Sequence, residues 1–178
     1  MWTAACTRRV PEVRTLVLLR HAKSDYPPGI PDHDRPLAAR GRRDAPAAGA
    51  WLAAHCPTPD RVLVSSAQRA QETWALAAPE VGSCGTVVTE PRIYEATGST
   101  LAALVSNLPS DDRTVVMVGH NPGLEDLAAA LVRGGDAEAQ RRMREKYPTN
   151  GIAVLQSTGE WSDLVHGADL VDFVAPRG

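Results

Sequence analysis

Leu16-Val17-Leu18-Leu19-Arg20-His21-Ala22-Lys23-Ser24 runs four consecutive apolar residues straight into a cation and a titratable ring. A short apolar run without alternation suits a strand covered on both faces, as in a parallel sheet. Arg20 and His21 then stand at its C-terminal end, where open α/β sheets place their ligands. Arginine offers a planar, permanently charged fork for phosphate oxygens, and histidine is a nucleophile near neutral pH. On its own the pair is also what a strand ending in solvated polar residues looks like, so the rest of the chain has to decide.

Working outward, the pattern repeats. Arg61-Val62-Leu63-Val64-Ser65-Ser66, Thr86-Val87-Val88-Thr89 and Thr114-Val115-Val116-Met117-Val118 are further short apolar runs, and helical segments separate them. A helix is expected over about Ala38–Cys56, with Asp44 as N-cap if Pro46 lies in its first turn. Others are expected over Ala67–Ala78, capped by Ser65 or Ser66, and over Ser99–Leu108, capped by Ser99. A further helix follows Pro122 and carries Leu124, Leu127, Leu131 and Val132 on one face. Gly134-Gly135 reads as its break, Asp136–Lys146 as a solvated, Asp136-capped helix, and Gly151–Gln156 and Ala168–Val174 as the last strands. Asp25–Pro36 is rich in proline, glycine and aspartate and reads as a loop. Its charges Asp25, Asp32, His33, Asp34 and Arg35 could line the mouth of a site, with solvated loop charges the favoured reading.

This alternation predicts an α/β fold: a three-layer α/β/α sandwich around a mostly parallel sheet. Right-handed crossovers bring the strand-to-helix loops to one edge. Arg20, His21, Arg69, Glu95 and His120 therefore gather in one cleft. Residues 14–178 are expected to form a single domain, preceded by a flexible lead-in over residues 1–13.

Composition narrows the function. A formal net charge of −2 gives no global field for nucleic acid or an anionic membrane surface. Cys6, Cys56 and Cys84 are odd in number and widely spaced, which argues against a disulfide framework and for a reducing cytoplasm. No apolar run is long enough to span a bilayer, and the first residues lack the apolar core of a signal peptide. The five histidines show no metal-ligand spacing, and no nucleotide-binding glycine motif follows any strand. Neither a metal nor another cofactor is expected. The chemistry that needs two arginines, two histidines and one carboxylate in one cleft is phosphoryl transfer without a metal, in which arginines and a histidine neutralise the equatorial oxygens while a second histidine attacks phosphorus. A carboxylic acid can then protonate the leaving group.

Three blocks carry a resemblance: Arg20-His21-Ala22-Lys23-Ser24, Ser65-Ser66-Ala67-Gln68-Arg69-Ala70-Gln71-Glu72-Thr73 and Val118-Gly119-His120-Asn121-Pro122. In this order they resemble the signature blocks of the histidine phosphatase (phosphoglycerate mutase-like) superfamily. The form of the first block, the Asp34-Arg35-Pro36-Leu37 loop, Ile93-Tyr94-Glu95-Ala96 and Gly119-His120-Asn121-Pro122-Gly123 resemble its small SixA-type phosphohistidine phosphatase branch. The resemblance spans roughly residues 15–175 and implies a phosphoglycerate mutase-like fold. It implies His21 as nucleophile, Arg20, Arg69 and His120 as phosphate ligands, and Glu95 at or near the acid position. Glu95 has an alternative role as a carboxylate that orients Arg20 or Arg69. Ser24 stands either as a hydroxyl near the pocket or as a turn-stabilising residue. Two positions depart from the pattern. Ala22 replaces the glycine usual in the wider superfamily, and Ala38 replaces a capping residue, at a cost of ~1 kcal/mol to the helix.

The short span between Val88 and Leu104 leaves no room for the inserted lids that close over small substrates in such mutases. An open pocket suits a phosphorylated side chain presented by another protein, such as a histidine-phosphotransfer protein, and admits water for hydrolysis. The alternatives are a phosphomonoesterase on a small or peptide phosphoester, and a non-catalytic phosphate-binding module. The oligomeric state is not encoded in any feature of the sequence.

Overall fold

The computed structural model describes residues 12–178. Except for Glu12 and Val13, the expected lead-in, with Cys6, lies outside the described residues. Thirteen elements follow: β1 (Val13–Arg20), α1 (Ala39–His55), β2 (Arg61–Ser65), α2 (Gln68–Val81), β3 (Thr86–Glu90), α3 (Gly98–Ser106), β4 (Thr114–Gly119), α4 (Gly123–Leu131), β5 (Val132–Gly135), α5 (Ala137–Glu145), β6 (Ile152–Thr158), α6 (Trp161–Leu164) and β7 (Ala168–Val174). They build one seven-stranded sheet in the order β3-β2-β4-β1-β6-β7-β5. Only β6 runs against the others, pairing antiparallel with β1 and β7.

Successive residues of the central strands point to opposite faces, so each apolar run feeds two cores. Leu16, Leu18, Val115 and Met117 pack under α3, α4, α5 and α6 with Leu101, Leu124, Met143 and Trp161. Val17, Leu19, Val116 and Val118 pack on the other side, under α1 and α2, with Leu52 and Trp74. Strands β1 and β4 are parallel neighbours whose following helices lie on opposite faces. This is a topological switch point, and the crevice it opens at the strands' C-terminal ends is where such sheets bind ligands.

Several boundaries differ from expectation for physical reasons. α1 starts at Ala39 and carries Pro46 in its interior, and its N-cap Ala38 makes no side-chain capping bond. Asp44 is not a cap: it is 1% exposed and accepts from Arg177 Nη1 and the Gly178 amide. Thr97, not Ser99, caps α3, accepting from the Thr100 amide. Asp136 caps α5 as expected, accepting from Ala139. Val132–Gly135 is a strand because its backbone pairs in parallel with β7. The short helix α6, which carries no expectation from the sequence, lies between β6 and β7. Among the described residues no helix is long and apolar enough to cross a membrane.

Candidate active site

The register of β1 and β4 builds the site. Arg20 lies opposite Gly119, and the His21 amide donates to the Gly119 carbonyl at 3.0 Å. His21 and His120 are therefore the next residues on two adjacent strands, and their ring centroids stand 5.0 Å apart. Gly119 lets this happen: a Cβ there would meet Ile93 Cγ2 at 2.9 Å.

His21 is 7% exposed, and its Nδ1 lies 2.7 Å from the Ala22 carbonyl oxygen. A carbonyl only accepts, so Nδ1 carries the proton and the lone pair resides on Nε2. Burial, reinforced by His120 and then by Arg69 and Arg20, pushes the His21 pKa down to about 3, against the Ala22 hydrogen bond. The same cause, burial first and then Arg69, pushes His120 down to about 4. Both rings are neutral at physiological pH. His120 Nε2 lies 2.7 Å from Ser65 Oγ, whereas its buried Nδ1 makes no hydrogen bond among the described residues. Ser65, expected as a candidate helix cap, instead orients this ring, and Ala67 occupies the N-cap of α2.

Two guanidinium groups complete the floor. Arg20 Nη1 donates to the Tyr147 carbonyl at 2.6 Å, while its buried Nε has no partner among the described residues. Burial lowers its pKa, opposed by nearby Glu125. Arg69, in the first turn of α2, is 6% exposed and donates to the Asp32 backbone oxygen at 2.6 Å and to Asp32 Oδ2 at 3.0 Å. Asp32 also accepts from Arg35 Nη1 at 2.7 Å and from the Tyr94 hydroxyl at 2.9 Å. These partners hold its pKa at about 2, the Arg35 hydrogen bond contributing most.

Asp32, His33 and Arg35 of the Asp25–Pro36 loop thus engage residues of the site, whereas Asp25 and Asp34 are exposed charges as expected. His33 Nε2 reaches Ser66 Oγ at 3.0 Å, and its ring meets Tyr94 edge to face at 4.9 Å. Arg35 ties the loop down through Asp25 O, Ser24 Oγ and the Tyr26 ring. Ser24 accepts that bond at 2.6 Å and forms an isolated bridge with Leu37, which is the turn-stabilising role. Glu95 is exposed, adopts a positive φ of 55° and lines the mouth of the cleft with Asp32, Arg69, His120 and Asp126. Its side chain bonds neither arginine; Asp32 is the carboxylate that orients Arg69. Asp32, Tyr94 and Ser65 carried no local signal, since each acts through a partner distant in sequence.

Two neutral imidazoles with ring centroids 5.0 Å apart, and two guanidinium groups close enough to act on both rings, suit in-line phosphoryl transfer to nitrogen. A family model for the histidine phosphatase superfamily (branch 1) matches residues 16–154. The chain belongs to this superfamily. It is accordingly a hydrolase of the phosphatase type, and its likeness within the superfamily is to SixA-type members. A structure from Nakamurella multipartitia, proposed to be the phosphohistidine phosphatase SixA, is 35% identical with a TM-score of 0.83, over 94% of this chain and 99% of that one. A second, from Agrobacterium tumefaciens and proposed to be the same enzyme, is 28% identical with a TM-score of 0.76, over 94% of this chain and 100% of that one. An uncharacterized protein of Mycobacterium tuberculosis is 44% identical over 162 residues, covering 89% of this histidine phosphatase and 100% of the relative.

Proposed function

We propose that this histidine phosphatase removes phosphate from phosphohistidine on a cytoplasmic protein, through a covalent phosphohistidine on His21 and without a metal. The observation that carries the reading is the His21 ring: buried, neutral, with Nδ1–H fixed on Ala22 O and Nε2 left as the nucleophilic atom. Nε2 attacks phosphorus in line as the P–N bond to the substrate imidazole breaks; the bond pair returns to that ring, which leaves as neutral imidazole because its other nitrogen already carries a proton in the phosphorylated substrate. Arg20, Arg69 and His120 hold the equatorial oxygens, where transition-state charge resides, so the positive charge comes from the chain itself. Water then attacks phosphorus, the Nε2–P bond breaks, and phosphate departs. The open mouth, walled by loops, supports a phosphorylated side chain presented by a protein, and the SixA names proposed for two relatives point the same way.

One observation favours a second reading, a phosphomonoesterase: Glu95 lines the mouth with Arg69 and His120, where a general acid for an alkoxide leaving group would stand. A rate panel separates the two, using a phosphohistidine peptide, a phosphoester peptide and small sugar phosphates with wild type and Glu95→Gln. General acid catalysis contributes ~10²–10⁴-fold, so Glu95→Gln should cost about 100-fold or more on phosphoesters. On phosphohistidine, whose imidazole leaves readily, it should cost less than about tenfold. A large, equal loss on both, or a phosphohistidine rate below the ester rates, contradicts the proposal.

A further inference from the structure

The charges at the mouth do not balance as those on the floor do. Arg20 and Arg69 match a phosphoryl dianion, and Asp32 is answered by Arg35. On the facing wall stand Glu95, in the turn before α3, and Asp126, in the first turn of α4. Both are exposed, both line the same cavity of about 450 Å³ as His120 and Arg69, and neither side chain makes a hydrogen bond or ion pair among the described residues. Among the described residues no lysine lines this cavity, and Arg69 is its one arginine. Asp126 does favour its own helix terminus through the macrodipole. That accounts for its position on α4 but not for its place beside an exposed glutamate over a phosphate-type floor.

We propose that the mouth of this site selects phosphoryl groups carried on a basic segment: a peptide surface with lysine or arginine flanking the phosphorylated residue, seated against Glu95 and Asp126. The inference rests on the phosphatase reading of the floor, and it names which carriers that floor accepts. An acidic carrier brings like charges within about a Debye length of two uncompensated carboxylates, and a basic carrier brings opposite ones. Between exposed partners the discrimination is a few-fold per charge, is greatest at low salt, and fades as salt rises.

The test uses the full chain and three phosphohistidine peptides whose flanks are lysine, alanine or glutamate, with a matched phosphotyrosine set. kcat/KM is measured at about 20 and 300 mM NaCl. The proposal expects lysine flanks to exceed glutamate flanks by about five- to twentyfold at low salt, and the ratio to fall at least threefold at high salt. Asp126→Asn should shrink the low-salt ratio about threefold, whereas Asp111→Asn, on an exposed turn just before β4, should leave it alone. Thermal melting of each variant identifies loss of fold. Equal rates across the flanks, a preference for glutamate, or a ratio indifferent to Asp126→Asn overturns the proposal. If phosphohistidine is not hydrolysed but the phosphotyrosine set shows the flank effect, the phosphohistidine reading fails and the basic-carrier inference stands.

Discussion

Ser65→Ala isolates the contact that aims His120. Ser65 is 0% exposed, and its Oγ is the hydrogen-bond partner of His120 Nε2 at 2.7 Å. His120 Nδ1 has none among the described residues, so deleting the hydroxyl leaves a buried imidazole with neither nitrogen engaged by them. A buried polar atom stripped of its partner costs about 1–3 kcal/mol. The Ala67 amide also loses Ser65 Oγ as acceptor, but at 3.3 Å that bond is weak. For a chain of 178 residues, each kcal/mol lowers the melting temperature by roughly 2–4 °C, which gives a fall of about 2–12 °C. Activity is hit separately. A ring free to turn no longer presents its donor to the phosphoryl oxygens, and a loss of ~1.4 kcal/mol of transition-state stabilisation is a factor of about ten in kcat/KM. Steady-state kinetics and calorimetry read both effects. In a His120→Asn background, Ser65→Ala should cost little further activity, because residues acting as a unit are non-additive. A Ser65→Ala enzyme within twofold of wild type, or one whose loss persists undiminished in that background, refutes the coupling.

Other predictions follow from the buried rings and from α1. His21 and His120 have folded pKa values pushed down to about 3 and about 4, below an unfolded value near 6.5. Between these limits the unfolded chain binds more protons, so stability falls as pH drops from about 6.5 toward 4 and is recovered above it. Urea midpoints measured from pH 7.5 to 4.5 should decline, and the decline should flatten in a His21→Gln/His120→Gln double variant; an unchanged slope counts against neutral rings. Gly41→Ala would set a Cβ 2.1 Å from the Lys23 carbonyl oxygen, two residues past the nucleophile. Overpacking of about 1–3 kcal/mol should outweigh alanine's helix preference of ~1 kcal/mol. A higher urea midpoint for Gly41→Ala would show that α1 does not pack on the nucleophile loop as described.

What the sequence made legible was local or periodic. The apolar runs at Leu16–Leu19, Val62–Val64 and Val115–Val118 announced central strands because both their faces are covered, and the residues ending them had one edge to occupy. That was enough to bring Arg20, His21, Arg69 and His120 together. What escaped depended on partners far along the chain. Gly134-Gly135 looks like a breaker, yet pairing with β7 makes it a strand. Asp44 looks like a cap, but Arg177 and the Gly178 amide claim its carboxylate, and α1 runs through Pro46. Asp32 looks solvated in a proline-rich loop until folding sets Arg69, Arg35 and Tyr94 around it. Of the candidate site residues, Ser24 turned out to anchor that loop through Arg35, and Glu95 stood at the mouth without touching either arginine.

The proposed reaction turns on phosphorus becoming bonded to Nε2 of His21. Quenching the enzyme in alkali during turnover, then mapping the label by mass spectrometry and ³¹P NMR, answers this directly. The expected result is an acid-labile, alkali-stable phosphoryl group on His21, absent together with turnover in His21→Ala. Label on another residue, or hydrolysis that survives His21→Ala, would contradict it.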